Sequence, residues 1–394
     1  MGYYSELDAM GRRYYENYKY VCAECLIHDE LSDYIESNGD SGSCDYCHEE
    51  KIVFPLPLLL DFIFNCIYFY WDQPENSGVP YETAEGGWQL GVQDGFDFFY
   101  DVVACDFSCE ELEKDLREPF LDLQFTLNDP FSGTRSEELQ FSWEQFCKII
   151  KHQTRYVFFY DNEHEETLGV YSPSSILDQI GVCCSEVGLI TRLERGERFI
   201  RGRIHNSEES INTVSQLGPP PLRYAKYSNR MSPAGIPMFY AALEQDTALA
   251  ELAPEYDRNS IFTYGEFELI RDILVLDLTN IPRVPNIFDT SRNTQMEDII
   301  FLHSLEDAIT QSVIKDGREH IEYVPTQVFT EFFRRKYKYA DENIDGIIYN
   351  SSRNSGGKCI VLFIEGKNVI DAECEITSDS MLKLSRENIF SRVL

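Results

Sequence analysis

Residues 191–203 read TRLERGERFIRGR, and at this stretch the character of the chain changes. Its five arginines form a density found nowhere else in a chain whose formal net charge is −34. On a β-strand Arg201 and Arg203 would point to the same face, so two planar guanidiniums would project side by side. Guanidiniums bind phosphate oxygens bidentately, which suggests a pocket for an anion. The alternative is a solvent-facing basic strand balanced by nearby acids.

After this stretch, strand-like and helix-like runs alternate, which predicts an α+β domain over residues 191–394. The predicted strands are Met238–Ala241, Ile261–Glu268, Ile273–Leu278, Gly346–Tyr349 and Cys359–Ile364. The predicted helices are Asp246–Ala253, Met296–Val313 and Thr326–Tyr337.

Before it, residues 51–190 read as a mostly helical domain. Ser108-Cys109-Glu110-Glu111 and Ser142-Trp143-Glu144-Gln145 resemble capping boxes, and Pro173 is expected to open a further helix that ends near Gly188. The apolar run from Ile52 to Trp71 contains two prolines, an aspartate and an asparagine. The prolines shorten its helix to about Leu58–Trp71, which predicts a buried core helix rather than a membrane span.

Residues 1–50 carry two cysteine pairs, Cys22/Cys25 and Cys44/Cys47, separated by eighteen residues. Two such turns can hold one Zn²⁺ in a tetrahedron of thiolates. A closed four-cysteine site has no open coordination position, so a structural role is expected. His28 and His48 flank the pairs and are interpreted as spectators. The alternative is four free or disulfide-bonded cysteines.

The acidic balance of the chain restricts its partners. A net charge of −34 and a pI near 4.5 repel nucleic acid and anionic lipid, so neither a broad nucleic-acid-binding face nor a membrane is expected. Residues 1–20 lack the apolar segment of a secretory signal. Twelve cysteines without such a signal suggest reduced thiols in a cytoplasm.

Two further segments have residue types suited to a binding site. Arg230 lies on a Pro/Gly-rich loop that leads to Tyr240, and the next helix is expected to have Asp246 as its N-cap and to present Glu251. Ser351 ends a predicted strand before a Gly-rich loop, where small residues let a ligand approach closely. Taken alone, the carboxylate could be a surface group and the loop an ordinary hairpin turn.

These blocks occur in an order that resembles a known family. FIRGRI, GPPP, RMSPAGIPMFYAA, DTALAEL, YVPTQ and DGIIYNSS followed by GGKCIVLF are similar to the RES domain over roughly residues 196–366. RES domains are named for their Arg, Glu and Ser, resemble ADP-ribosyltransferases in fold, and are known mostly as bacterial toxins that consume NAD+. The preceding half resembles a HEPN/RES N-terminal domain.

The resemblance implies roles for individual residues. The family arginine falls on Arg201 or Arg203, which the sequence does not separate, and the loop arginine falls on Arg230. The pocket tyrosine is Tyr240 and the acid is Glu251. The serine is Ser351, with Ser352 beside it, and Gln327 in the PTQ block is expected to line the same pocket. Asp246 departs from the family, which more often has Glu there.

The implied chemistry is cleavage of the bond between nicotinamide and ribose in NAD+. The arginines would hold the pyrophosphate, Tyr240 would stack on nicotinamide, and Glu251 would stabilise the oxocarbenium-like ribose through its hydroxyls. Ser351 would fix the nicotinamide or its ribose. The acceptor stays open between water (a glycohydrolase), phosphate (a phosphorylase) and a macromolecule (an ADP-ribosyltransferase that modifies protein or nucleic acid).

The resemblance also implies a toxin of a toxin–antitoxin or anti-phage defence system, with an antitoxin or regulatory partner, and it leaves a homo-oligomer open. Two other functions remain as alternatives. One is a non-catalytic sensor of NAD+ or ADP-ribose. The other is a HEPN-type ribonuclease that uses the R-x6-H spacing of Arg198 and His205.

Overall fold

The computed structural model of the 394-residue chain describes residues 19–84, 86–158, 170–206, 208–252, 260–311, 313 and 317–394. The chain divides into two compact units. The first comprises residues 1–133 and 284–296, and the second comprises residues 134–283 and 297–394. The division at residue 133 differs from the predicted boundary at 190, because helices between the two positions bury their apolar faces in the core of the second unit.

The first unit combines helices with short strands. Its helices in the described residues are α1 (Asp29–Asn38), α2 (Leu56–Ile67), α3 (Gly95–Phe98) and α4 (Glu110–Arg117). Its strands are β1 (Tyr20–Cys22), β2 (Leu26–Ile27), β3 (Asp40–Ser43), β4 (Glu50–Pro55), β5 (Trp71–Asp72), β6 (Tyr81–Glu82), β7 (Gly87–Trp88), β8 (Gln93–Asp94), β9 (Asp106–Phe107) and β10 (Gln124–Leu127). They form two three-stranded sheets, β1-β4-β3 and β5-β10-β8, and the pairs β2–β9 and β6–β7.

The predicted core helix of the first unit is confirmed as α2. Leu59, Ile63 and Ile67 on this helix are buried in the unit's core. The helix begins two residues earlier than predicted, because Pro57 is tolerated in a first turn, where its missing N–H has no partner to lose. None of the described helices has the length and apolar character needed to cross a membrane.

The expectation of a mostly helical region up to residue 190 is met only in part over residues 71–127, where the short strands β5 to β10 accompany α3 and α4. Pro74, Gly78 and Pro80 lie in this segment and disfavour a continuous helix. Gly78 has φ of 72°, a left-handed conformation that interrupts any helix. α4 begins at Glu110, one residue later than a capping box at Ser108 predicts, and its N-cap Cys109 makes no side-chain capping hydrogen bond.

The second unit is built on one large mixed sheet. Its helices in the described residues are α5 (Arg135–His152), α6 (Pro173–Glu186), α7 (Val214–Leu217), α8 (Gln245–Leu252), α9 (Met296–Thr310), α10 (Glu319–Glu322) and α11 (Val324–Arg335). Its strands are β11 (Ile190–Leu193), β12 (Arg198–His205), β13 (Phe239–Ala242), β14 (Ile261–Leu269), β15 (Ile273–Asp277), β16 (Lys338–Tyr339), β17 (Glu342–Asn343), β18 (Gly346–Asn350), β19 (Lys358–Leu362), β20 (Val369–Asp371), β21 (Leu382–Leu384) and β22 (Ile389–Val393). The sheet order is β11-β15-β18-β19-β13-β12-β14-β21-β20, with β22 also paired to β14.

The central strands are buried on both faces. Because successive side chains of a strand point to opposite faces, neighbouring residues pack in two different cores. On β15, Leu274 and Leu276 pack in the core that contains α5, α6, α9 and α11, whereas Ile273 and Val275 pack in the core on the opposite face. The strands predicted from sequence agree with the structure to within two residues at most ends. Pro325 lies in the first turn of α11 rather than preceding the helix, again because a first turn tolerates proline.

Neighbouring strands β12 and β13 diverge. The structure describes every residue of both strands, and a single residue pair joins them, Ile200 opposite Ala242. β12 pairs along its whole length with β14, from Arg198 opposite Glu268 to His205 opposite Ile261. Divergence on one side of β12 opens a gap in the sheet.

Two predicted helix starts are wrong. Ser142 lies in the middle of α5, where its Oγ donates to the carbonyl of Glu138 at 2.7 Å. The capping box of α5 is formed instead by Thr134 and Glu137. Asp246 lies in the first turn of α8 rather than at its N-cap, since the helix begins at Gln245.

An ion pair between a partly exposed arginine and a buried aspartate joins α5 to α9 in the second unit. Arg135 Nε donates to Asp298 Oδ1 at 2.7 Å, and Asp298 is 2% exposed. Replacing Asp298 by alanine leaves the guanidinium without its partner. We expect a loss of about 3 kcal/mol in the free energy of unfolding, the lower end for breaking a buried pair, because Arg135 can still reach water. Chemical denaturation measures the loss. Asp178→Ala, which breaks an exposed pair with Lys336, should cost less than about 1 kcal/mol. Equal losses would contradict the prediction.

Candidate active site

A cavity of about 830 Å³ lies in the second unit and is lined by four of the residues predicted from sequence, Arg230, Tyr240, Glu251 and Ser352. We call it the main cavity. A small cavity of about 140 Å³ adjoins it and is lined by Arg201, Tyr240 and Glu251. Both cavities share Tyr240, Glu251 and Tyr349, so these three side chains stand at their junction. The main cavity lies in the 300–1,000 Å³ range usual for cofactor sites.

Glu251 forms contacts with one residue just after β18 and one residue on β19. Ser351 Oγ donates to Glu251 Oε1 at 2.5 Å, and the Cys359 thiol lies 3.8 Å from the same oxygen. Burial and the negative charge of Glu251 raise the pKa of Cys359 to about 12, so this thiol keeps its proton and can donate. The carboxylate therefore has a fixed orientation toward the cavities.

Ser351 itself lies in a tight turn. Its Oγ accepts from the backbone N–H of Arg353 at 3.2 Å and of Asn354 at 3.1 Å. With its hydroxyl engaged by Glu251 and these amides, Ser351 orients the carboxylate, while its neighbour Ser352 lines the cavity. Contact of Ser351 with nicotinamide or its ribose stays a prediction.

The Gly-rich loop is fastened to α8 by a short chain of hydrogen bonds. Asn354 Nδ2 donates to Thr247 Oγ1 at 2.8 Å, and Thr247 Oγ1 donates to Glu244 at 2.9 Å. Gly357 lies so close that a Cβ atom there would be 2.3 Å from Thr247 Oγ1. A glycine is required at this approach.

Gly357→Ala should therefore push the loop away from α8 and move Ser351 relative to Glu251. Because small displacements of catalytic groups reduce rates steeply, we expect at least a roughly tenfold lower rate of substrate turnover in a folded protein. Turnover and circular dichroism measure this. Ser355→Ala, an exposed change in the same loop, should leave both unchanged. Full activity in Gly357→Ala would show that the loop position is unimportant.

Tyr240 lies at the mouth of the gap between β12 and β13. Its hydroxyl forms a hydrogen bond with Ser232 Oγ at 2.8 Å. Burial raises the pKa of Tyr240 to about 12, so the phenol stays neutral at physiological pH. The ring is thus a fixed, uncharged wall of both cavities.

Arg201 occupies that gap. Its Nε donates to the carbonyl of Leu217 at 2.8 Å, an Nη atom donates to the carbonyl of Tyr240, and its guanidinium lies over the ring of Phe239. Burial, with the positive charge of Arg203 added, lowers the pKa of Arg201 to about 10. No carboxylate in the described ranges pairs with it. A half-buried, protonated cation without a counter-ion favours an anionic ligand.

Arg203 is exposed and lines neither cavity. Geometry thus separates two arginines that the sequence could not. Arg198 and His205 stand at opposite ends of β12, seven residues or roughly 23 Å apart and on opposite faces. They cannot act on one RNA phosphate, which removes the basis of the ribonuclease alternative.

Arg230 is anchored at the C-terminus of α9. One of its Nη atoms donates to the carbonyls of Ile309 at 2.5 Å and Gln311 at 2.7 Å. The Arg230 side chain also lines the main cavity, and its other guanidinium N–H groups take no part in these two hydrogen bonds. Gln327 supports the same loop, because its Nε2 donates to the carbonyls of Asn229 at 2.8 Å and Ser232 at 3.3 Å. Gln327 does not line the main cavity.

Sequence reasoning missed several residues of the main cavity: Lys226, His320, Tyr323, Tyr349, Asn350 and Arg353. Tyr349 could have been found, since it lies two residues before Ser351 on one strand face. Tyr323 is the first residue of the YVPTQ block but carried no pattern of its own. Lys226 and Arg353 form no ion pair with a carboxylate among the residues that the structure describes.

In the first unit, the four predicted cysteines form a cluster that can hold a metal ion. The sulfur atoms of Cys22, Cys25, Cys44 and Cys47 all lie within 4.8 Å of one another. Cys22 and Cys47 are 3.8 Å apart, and Cys25 and Cys44 are 3.9 Å apart. His28 is not part of the cluster; its Nδ1 accepts from the Leu31 N–H at the start of α1.

Comparison with known proteins identifies two families. Residues 203–384 match the RES domain, and residues 37–164 match HEPN/RES N-terminal domain 1. The RES match begins at Arg203, two residues after Arg201. No curated protein and no solved structure shows significant similarity to the chain. Both resemblances predicted from sequence are confirmed.

Proposed function

Because the chain joins a HEPN/RES N-terminal domain to a RES domain, we propose that it is an enzyme that consumes NAD+ by cleaving the nicotinamide–ribose bond. A RES domain supports an NAD+-related, toxin-type function in general. The finer assignment depends on one observation: Glu251, oriented by Ser351 at 2.5 Å, stands where a cavity lined by cations meets the small cavity that holds Arg201.

The main cavity has the charge pattern that a dinucleotide requires. Lys226, Arg230 and Arg353 line it, against the two carboxylates Glu251 and Glu319. In a chain of net charge −34 this excess of cations is local. It suits a diphosphate, and Arg201 supplies a further, half-buried positive charge in the small cavity that Glu251 also lines.

The proposed chemistry needs little proton transfer. The N-glycosidic bond breaks, nicotinamide leaves as a neutral molecule with the bonding electron pair, and positive charge develops at C1′ of the ribose. Glu251 stabilises that charge, directly or through the ribose hydroxyls. Tyr240 and Tyr349 at the junction provide ring surfaces for nicotinamide. An acceptor then forms the new bond to C1′.

The proposal includes an ADP-ribosyltransferase-like arrangement of the RES domain. Its support is the divergence of β12 from β13 beside the junction of the cavities, which opens a mixed sheet at the place where a ligand can enter. It also includes a toxin role restrained by an antitoxin or another partner protein, because uncontrolled loss of NAD+ would arrest growth.

For the cysteine cluster we propose a structural Zn²⁺. A tetrahedron with Zn–S bonds of about 2.3 Å has sulfur atoms about 3.8 Å apart, close to the two separations observed. Four soft thiolates are the donor set that zinc favours in closed sites. Zinc would then tie β1 to the turn after β3.

The proposed function is tested by incubating the purified protein with NAD+ and identifying the products by mass spectrometry. We expect nicotinamide together with ADP-ribose in water, ADP-ribose phosphate when phosphate is the acceptor, or a mass increase on a macromolecule. Reactions with and without phosphate separate the first two. NAD+ that binds but stays intact would support the sensor instead.

A further inference from the structure

A third cavity of about 470 Å³ adjoins the main cavity and is not explained by the cleavage step. We call it the side cavity. It shares Ser228, Ala234 and His320 with the main cavity, whereas the small cavity shares Tyr240, Glu251 and Tyr349 with it. The two shared sets have no residue in common. The side cavity therefore opens from a different part of the main cavity's wall than the part formed by Tyr240, Glu251 and Tyr349.

Its lining combines an apolar floor with cations and one carboxylate, Glu331. Phe158, Val324 and Phe332 are buried side chains of the floor. Arg155 and Arg335 also line it, and neither forms an ion pair with a carboxylate in the described ranges. Such a site suits a flat, apolar heterocycle that carries a phosphate.

Gln327 lines the side cavity as well. Because its Nε2 is committed to the carbonyls of Asn229 and Ser232, the group that this amide can offer a ligand is its Oε1, a hydrogen-bond acceptor. The exocyclic amine of adenine is a matching donor.

We propose that the side cavity binds the adenylate half of the dinucleotide, an inference that rests on the proposed function. NAD+ has its scissile ribose at one end, its two phosphates in the middle and adenosine at the other end. The cavities follow the same order: Glu251 at the junction, then Lys226, Arg230 and Arg353, then the apolar side cavity beyond His320. Gln327 thereby acts on the adenine end rather than on the reacting end.

The test compares NAD+ with nicotinamide mononucleotide, which keeps the scissile bond and lacks the adenylate half. Val328→Trp fills the side cavity from α11, and Arg335→Glu reverses an exposed charge at the same cavity. Both should raise KM for NAD+ at least tenfold and leave kcat/KM for the mononucleotide within about twofold. Lys338→Glu, an equal charge change on exposed β16 outside the three cavities, should alter neither.

Unchanged NAD+ kinetics in both variants would overturn the inference, and so would equal losses for the two substrates. If the unmutated protein cleaves neither substrate, the proposed function fails, but the inference is still tested by calorimetric titration with AMP. AMP should bind to the unmutated protein and to Lys338→Glu, and at least tenfold more weakly to Arg335→Glu. The exposed Arg335 variant keeps the test valid if Val328→Trp does not fold.

Discussion

Glu251→Gln should lower the rate of nicotinamide release from NAD+ by about 10²–10³-fold, the usual cost of removing one electrostatic group from a transition state. Glutamine has the same shape and can still accept a hydrogen bond from Ser351 Oγ, which donates to Glu251 at 2.5 Å in the unmutated protein. The fold should therefore be kept, and KM for NAD+ should change little. Release of nicotinamide from the purified variant measures the loss.

Glu319→Gln is the matched control, since it removes a second carboxylate from the main cavity by the same isosteric change. It should retain most of the activity. In cells, expression of the unmutated chain should deplete NAD+ and arrest growth, while Glu251→Gln should allow growth. Equal arrest by both would mean that Glu251 does not carry the chemistry.

The second large effect concerns the cysteine cluster. Cys44→Ser should release the metal ion and destabilise the first unit, because structural zinc contributes about 10–16 kcal/mol of binding free energy that is coupled to folding. Cys44 is fully buried beside Cys25. We expect about one zinc per chain in the unmutated protein by elemental analysis, much less in the variant, and faster proteolysis within residues 19–133.

Cys109→Ser is the matched control for this change. Cys109 is a half-buried free thiol of the same unit at the N-cap of α4, a position that favours serine. It should keep both the zinc and the resistance to proteolysis. A purified chain without any metal, yet equally resistant, would contradict a structural zinc site.

Elements of the second unit were largely predictable, because their sequence patterns are local. β14 alternates in burial along its length, and α11 has an apolar face at helical spacing. The short strands between residues 71 and 127 were not predictable, since two-residue strands are set by pairing partners distant in the chain, such as Trp71 opposite Leu127. Such pairing leaves no periodic signal.

The sequence singled out residues of the candidate site, but it could not predict how these residues are arranged in space. Spacing on a strand placed Arg201 and Arg203 on one face, yet only the divergence of β12 from β13 leaves the first half-buried and the second exposed. The hydrogen bond from Ser351 to Glu251 could not be predicted either, because the two residues are distant in the chain. Each difference depends on contacts between segments about 40 to 100 residues apart.

The position of NAD+ in the Glu251→Gln variant tests the central claim most directly, because this variant should bind the dinucleotide without cleaving it. A crystal structure of that complex should place the scissile ribose between residue 251 and Tyr240, with the two phosphates beside Arg230 and Lys226. NAD+ bound away from the junction of the main and small cavities, or with its adenine against residue 251, would contradict the account.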